Sequence, residues 1–127
     1  MRLLFACAAL TMVGAACAPS AQVVEVLMRH SKFEPAVISV PRGVPVTLVF
    51  KNADPIDHEW ILGDAAVHER HRSGTEPVHE GRADEIGVPA LSERSTTLAF
   101  GAPASLAFIC HLPGHERYGM VGRLEVR

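Results

Sequence analysis

The chain has 127 residues, enough for one domain, with a formal charge of −2 at neutral pH. That balance excludes nucleic acid and anionic membrane surfaces as obvious partners, and it is too small to define an acidic docking patch. Five Phe, one Trp and one Tyr leave Val, Leu and Ala to fill a small β core.

Residues 1–17 open with Arg2, run through an apolar stretch and end in small residues before Cys17. This reads as an export signal, and the run is shorter than the ~20 apolar residues that span a bilayer. Cys17 follows Gly14, Ala15 and Ala16 and resembles a bacterial lipoprotein junction, although the usual Leu three places before it is Gly14. Lipidation of Cys17 is the first expectation and simple secretion the second; several acyl chains on one cysteine anchor stably where a single chain does not. Residues 18–22 then form a short linker and residues 23–127 the folded domain. The protein is expected outside the cytoplasmic membrane, in the periplasm or tethered through Cys17. Cys7 leaves with the leader, so Cys17 and Cys110 remain. A disulfide between them is the plain alternative for an exported protein, but each has another role open to it.

Alternation marks the strands. Val24, Val26 and Met28 share one face of a first strand, and Ala36, Ile38 and Val40 do the same ahead of a turn at Pro41, Arg42 and Gly43. Val44, Val46, Leu48 and Phe50 line one side of the next, with Thr47 and Lys51 opposite. His58 is in phase with Trp60 and Leu62 in the following apolar stretch.

Residues 63–82 break the pattern. Asp64 is placed to cap a short helix running to Arg72, with Gly74 ending it. His68 and His71, three apart, share a face of that helix, and His79 lies within reach of a folded-back loop. Three readings are open for this insert. It is a solvated segment carrying Glu69, Arg70, Arg72, Glu76 and Glu80, or an exposed copper or zinc site made by His68, His71 and His79, or a docking surface. A loop this long usually has a role.

Beyond the insert, Thr96, Leu98 and Phe100 share a face, and Cys110 is in phase with Leu106 and Phe108. Met120 is in phase with Leu124 and Val126 of a last strand that turns Arg123, Glu125 and Arg127 outward. Short strands punctuated by Pro and Gly predict an all-β chain folded as an antiparallel sandwich.

The richest chemistry lies between Phe108 and Glu125. Cys110, His115 and Met120 stand in the spacing Cys-x4-His-x4-Met. A thiolate, an imidazole and a thioether on one short loop need only a second imidazole to complete a His2Cys set with a weak axial Met, the blue-copper arrangement. Structural zinc sites use paired Cys or two Cys with two His and do not recruit Met. Met120 alone would pass as core packing; its spacing from Cys110 and His115 reverses that. His58, after Asn52-Ala53-Asp54-Pro55, is the candidate for the missing imidazole, against the plainer reading of a satisfied core histidine. Parity brings His58, Cys110 and Met120 to the core face at strand ends, and His115 arrives from the connecting loop.

These residues resemble the cupredoxin family. The Pro113-Gly114-His115 element is most similar to azurin and auracyanin, and His58-Glu59-Trp60 to the first-ligand segment of azurin. The likeness covers roughly residues 23–127. It implies a Greek-key β-sandwich of about eight strands holding one type 1 copper ion, with His58, Cys110 and His115 equatorial and Met120 axial. It further implies electron transport by a monomer without enzymatic activity, with the ring of His115 as the electron exit and a cytochrome or oxidase as redox partner. The other expectation is an envelope carrier that sequesters or hands on copper for tolerance or oxidase assembly. A copper reductase or multicopper oxidase fails on length.

One departure from the family pattern stands out. The residue after the first histidine ligand is usually Asn, bonded to a Ser or Thr after the ligand cysteine; here those places hold Glu59 and His111. A hydrogen bond or ion pair between the two side chains is the expected replacement, supporting the ligands from behind and raising the pKa of His111.

Overall fold

The structure, a computed structural model, describes residues 21–74 and 81–127. The leader, Cys17 and His79 lie outside the described residues. Nine strands and one helix run in the order β1 (Gln22–Arg29), β2 (Lys32–Glu34), β3 (Val37–Val40), β4 (Val46–Asn52), β5 (His58–Gly63), α1 (Ala65–Arg72), β6 (Glu85–Val88), β7 (Glu93–Leu98), β8 (Ala104–Ile109) and β9 (Val121–Val126) among the described residues. They form two sheets, β2-β1-β4-β7 and β3-β9-β8-β5-β6, the Greek-key sandwich that the alternation and the family likeness predict.

The period-two pattern of apolar residues sets which face of each strand turns inward. Val26, Met28, Val46, Leu48 and Phe50 of the first sheet meet Ile38, Val40, Trp60, Leu62, Phe108, Leu124 and Val126 of the second, all buried. Each such side chain contributes about 1.5–3 kcal/mol when fully removed from water. Ala36 and Val44 were expected on inward faces, but Ala36 is exposed and Val44 half-buried because both precede their strands.

The arrangement is not wholly antiparallel. β1 pairs in parallel with β4, and β3 in parallel with β9. After the β1–β2 hairpin the chain crosses to the second sheet as β3, then returns to the first beside β1. Alternation records which face is buried and carries no information on strand direction. The two short strands β2 and β6 had no alternating run long enough to announce them, although Phe33 of β2 is buried.

Aromatic rings fill the end of the sandwich beneath Cys110. Phe108 packs edge-on against Phe33 with centroids 5.2 Å apart at 83°, and Trp60 lies 5.0 Å from Phe50. Phe108 faces Gly122 across the β8–β9 pair. A β-carbon at Gly122 would come within 2.1 Å of the Phe108 ring, so only glycine admits the ring there. Gly63 serves the turn into α1 in the same way: a β-carbon there would approach Val67 to 2.6 Å. Asp64 caps α1, its carboxylate accepting from the Val67 N–H at 3.0 Å. The helix ends at Ser73 and Gly74 with Arg70, His71 and Arg72 in its last turn, where basic groups complement the dipole.

Candidate metal centre

Three strand ends meet at one pole of the sandwich. His58 is the first residue of β5, Cys110 follows the last residue of β8, and Met120 precedes the first of β9. Register makes this convergence obligatory. Ile61 of β5 lies opposite Ile109 of β8, and Ile109 opposite Val121 of β9, so one step further along the chain brings Cys110 beside Met120. The Cys110 N–H donates to the Met120 carbonyl at 3.2 Å, and the Met120 N–H to the His115 carbonyl at 3.0 Å. The loop between them is a series of tight turns, with the His115 N–H on the Leu112 carbonyl at 3.0 Å and the Tyr118 N–H on Gly114 at 3.1 Å. The Lys32 ammonium closes it from outside by donating to the Tyr118 carbonyl.

Within this frame His58 Nδ1 lies 3.2 Å from His115 Nδ1, which lies 3.3 Å from Cys110 Sγ. The three donor atoms are all within 4.8 Å of one another. Two nitrogens held ~2.0–2.1 Å from one ion at a tetrahedral angle would be about 3.3 Å apart, so the imidazole spacing fits a shared metal. Two imidazoles and one thiol, with Met120 fully buried alongside, are a donor mixture suited to copper.

Cys110 is a buried, free thiol. Burial pushes its pKa up to about 11, against the opposing pull of the main-chain N–H groups of Glu59 and Leu112 aimed at the sulfur. The Glu59 N–H reaches Sγ at 3.4 Å. The metal-free site therefore holds a neutral thiol, and a metal must displace its proton. Burial, and then the facing ring of His58, lowers the pKa of His115, which keeps its nitrogen available.

Asp54 is the residue that the sequence reading missed. Its Oδ2 meets His58 Nε2 at 2.8 Å, which places the imidazole proton on Nε2 and leaves Nδ1 as the donor. The carboxylate also accepts from the His30 and Ser31 N–H groups, each at 2.8 Å. Both residues have positive φ, 53° and 52°, a conformation uncommon outside glycine and held here by those bonds. Asn52 braces the segment, accepting from the Asp54 N–H at 2.9 Å and donating to the carbonyls of Ile56, Val88 and Pro89. The pKa of Asp54 is lowered: its hydrogen bonds from Ser31, His58 and His30 together outweigh desolvation, the largest single effect. A usable signal was present, an aspartate four residues before a candidate ligand histidine in an Asn-x-Asp-Pro turn.

Glu59 and His111 do stand side by side, but the expected side-chain pair is replaced by another contact. The Glu59 carboxylate takes the main-chain N–H of His111, while the His111 imidazole turns toward α1. There His111 Nε2 lies 3.0 Å from His68 Nδ1, and its ring stacks on His71 with centroids 5.4 Å apart at 8°. Its pKa falls to about 4, through burial first and then the neighbouring His68 ring, the reverse of the expected rise. Burial also raises the Glu59 pKa. The physical reason is the helix: α1 covers this face, so a side chain pointing away from the core meets imidazoles in place of water.

His68 and His71 share a helix face as expected, and that face is buried rather than exposed. His68 is 2% exposed, with Nε2 at 3.2 Å from the Ala107 carbonyl. His71 Nε2 lies 3.6 Å from Glu85 Oε1. His30 is exposed.

An imidazole–thiol–imidazole triangle at the pole of a Greek-key sandwich, two of its members buried and His115 half-buried, is the donor set of a small soft-metal protein. The chain belongs to the cupredoxin family: the model of the cupredoxin-like domain matches residues 2–93. That span stops short of the Cys110–Met120 loop, which stands on its spacing and geometry. Among curated relatives, the chain is 32% identical over 114 residues to the copper-resistant cuproprotein CopI of Rubrivivax gelatinosus, covering 87% of this chain and 69% of that protein. It is 28% identical to the CopI of Pseudomonas aeruginosa, with 87% and 78% covered. Among solved structures, auracyanin B superposes with a TM-score of 0.69 at 25% identity, over 88% of this chain and 93% of that one. The reduced auracyanin of Roseiflexus castenholzii gives 0.70 at 20% identity, with 86% and 99% covered, a likeness of fold.

Proposed function

We propose that the protein is a mononuclear blue-copper electron carrier of the cell envelope. The observation that carries this reading is the convergence of His58 Nδ1, Cys110 Sγ and His115 Nδ1 within 4.8 Å, on a main chain already bonded into place. Bound copper would supply a one-electron couple at this point. His58, Cys110 and His115 would hold it, with Met120 buried alongside as a further soft donor. The residues around them keep it in one geometry: Asp54 fixes the tautomer and orientation of His58, while the Glu59 and Leu112 N–H groups point at the sulfur and stabilise its thiolate. Aromatic packing beneath Cys110 keeps water away on the core side. A ligand set closed by four protein side chains leaves no position for substrate, which favours a carrier over an enzyme. The half-buried ring of His115 is the route by which electrons would reach a cytochrome or oxidase.

A second reading is favoured by the comparisons. Relatives named copper-resistant cuproproteins support a role in copper tolerance, with the protein binding or handing on copper outside the cytoplasm, as a monomer secreted freely or anchored at Cys17. The first test is to add Cu(II) to the purified protein and record visible and paramagnetic resonance spectra. An intense thiolate-to-copper band supports the blue site; a colourless complex overturns it. Rapid electron exchange with a cytochrome while copper is retained favours the carrier of electrons, and stoichiometric copper transfer to an acceptor favours the carrier of metal.

A further inference from the structure

We propose that His68 and His111, with His71 as a third donor, form a second metal site for a divalent cation of borderline softness, on the helix side of the Cys110 strand end. The site goes beyond the electron-carrier reading and stands or falls independently of it. Its residues differ from the set His68, His71 and His79 expected from sequence: His111 of the ligand loop takes the third place.

The geometry starts from one imidazole pair. His68 Nδ1 and His111 Nε2 face each other at 3.0 Å. Two nitrogens ~2.0–2.1 Å from one ion and at right angles to each other would be about 2.9 Å apart, the spacing of a tetragonal Cu(II) site. In the metal-free protein the same 3.0 Å fits a hydrogen bond from His111 Nε2–H to His68 Nδ1, and an ion can take its place with little ring movement once the His111 proton moves to Nδ1.

One outer nitrogen is already hydrogen-bonded as metal-ligating histidines require, and the other faces a carboxylate. His68 Nε2 donates to the Ala107 carbonyl at 3.2 Å, which leaves Nδ1 as the donor atom. His111 Nδ1 faces the Glu116 carboxylate at 3.7 Å, which would stabilise the His111 proton on Nδ1 once Nε2 takes an ion. A carbonyl or carboxylate behind the ligand ring is the usual support for such a site. Glu116 is itself clamped by Arg72, with contacts of 2.7–3.0 Å.

His71 supplies the independent observation. Its Nε2 is buried without a hydrogen-bond partner among the described residues, and its side chain is 3% exposed with Glu85 at 3.6 Å. A buried polar atom without a partner is destabilising, and a ligand for it would remove that penalty. As the rings stand, only His68 and His111 converge among the described residues, and His71 would join them only by turning out of its parallel stack on His111. Imidazoles without a thiolate suit Cu(II), Zn(II) and Ni(II), and among these Cu(II) binds tightest.

The test uses the full chain, metal-free, titrated with Cu(II) against glycine as a weak competitor. The blue band should saturate with the first equivalent, and roughly one further ion per chain should bind without added blue intensity, since no second cysteine lies among the described residues. His68→Gln and His111→Gln should each remove that further ion and keep the blue band, which also reports a folded chain. His71→Gln should weaken it by about tenfold or more. One measurement needs no variant: in the Cu(I)-loaded protein, Zn(II) should shift the ring signals of His68 and His111 and leave those of His58 and His115 in place. A wild-type chain that binds a single ion overturns the proposal. So does a further ion that survives both His68→Gln and His111→Gln, or one lost only with His79→Gln.

Discussion

Two imidazole pairs face each other in this fold at almost the same distance, His58 with His115 at 3.2 Å and His68 with His111 at 3.0 Å. They differ in what surrounds them. The first pair has a thiol 3.3 Å away and sits where β5, β8 and β9 meet, with His58 placed by the sheet and His115 by the main-chain turns of the connecting loop. The second has no sulfur and depends on an eight-residue helix docked against the sheet. Isolated helices of that length are marginal in water, so this pair is held by side-chain burial more than by backbone. Cys110 and His111, adjacent in sequence, point to opposite sides and so serve one pair each. Strand alternation is enough to divide them.

The sharpest way to break the comparison is to remove the sulfur. Cys110→Ser should abolish the intense visible colour entirely, because that colour needs thiolate-to-copper charge transfer, and should leave copper binding at the helix-side pair. A blue Cys110→Ser protein would refute the ligand assignment.

Next in size is the support behind His58. Asp54→Asn should lower copper affinity at the first site by about 10- to 100-fold and leave the second pair unaffected, measured by competition with a chelator. Unchanged affinity would mean that the main chain alone orients His58.

Met120→Leu should keep the colour and raise the reduction potential, since a donor that stabilises Cu(II) is lost. Potentiometry checks the sign. An unchanged potential would remove Met120 from the ligand set.

The Glu59 and His111 contact is a finer probe. Because Glu59 takes the main-chain N–H of His111, Glu59→Gln and His111→Ala should act on the stability of the metal-free chain additively, within about 0.5 kcal/mol in a double-mutant cycle. A larger coupling would restore a side-chain clasp between them.

Smallest is the effect of acid on the helix. The Val67 N–H bonded to the Asp64 carboxylate holds its pKa below the ordinary 3.8. A depressed carboxylate contributes stability that is present above its unfolded pKa and lost as pH falls through the folded one. Below pH 3.8 the cap should weaken and α1 fray before the sheets, seen as early loss of amide protection in residues 65–72. Simultaneous loss of helix and sheet protection would mean that packing, not the cap, holds the helix.

Much of the protein was legible in its sequence because the relevant signals are local. The alternation of Val26, Met28, Leu48 and Phe50 reports a buried face whatever the partner strand, and Asp64 before Ala65 marks a helix start by its own hydrogen bond. The meeting of Cys110 with His115 could be anticipated because donor type and spacing along one loop are visible in the chain itself. What tertiary structure decided is everything that depends on approach through space. The parallel pairing of β1 with β4, the seat of Asp54 behind His58, and the helix laid over His111 all join residues far apart in the chain or reached through turns. Alternation cannot encode strand direction, and a charged residue in a loop does not announce which buried nitrogen it will meet. From sequence His111 reads as the partner of Glu59 beside a ligand. Only the packing of α1 shows it buried among imidazoles, with its pKa driven down.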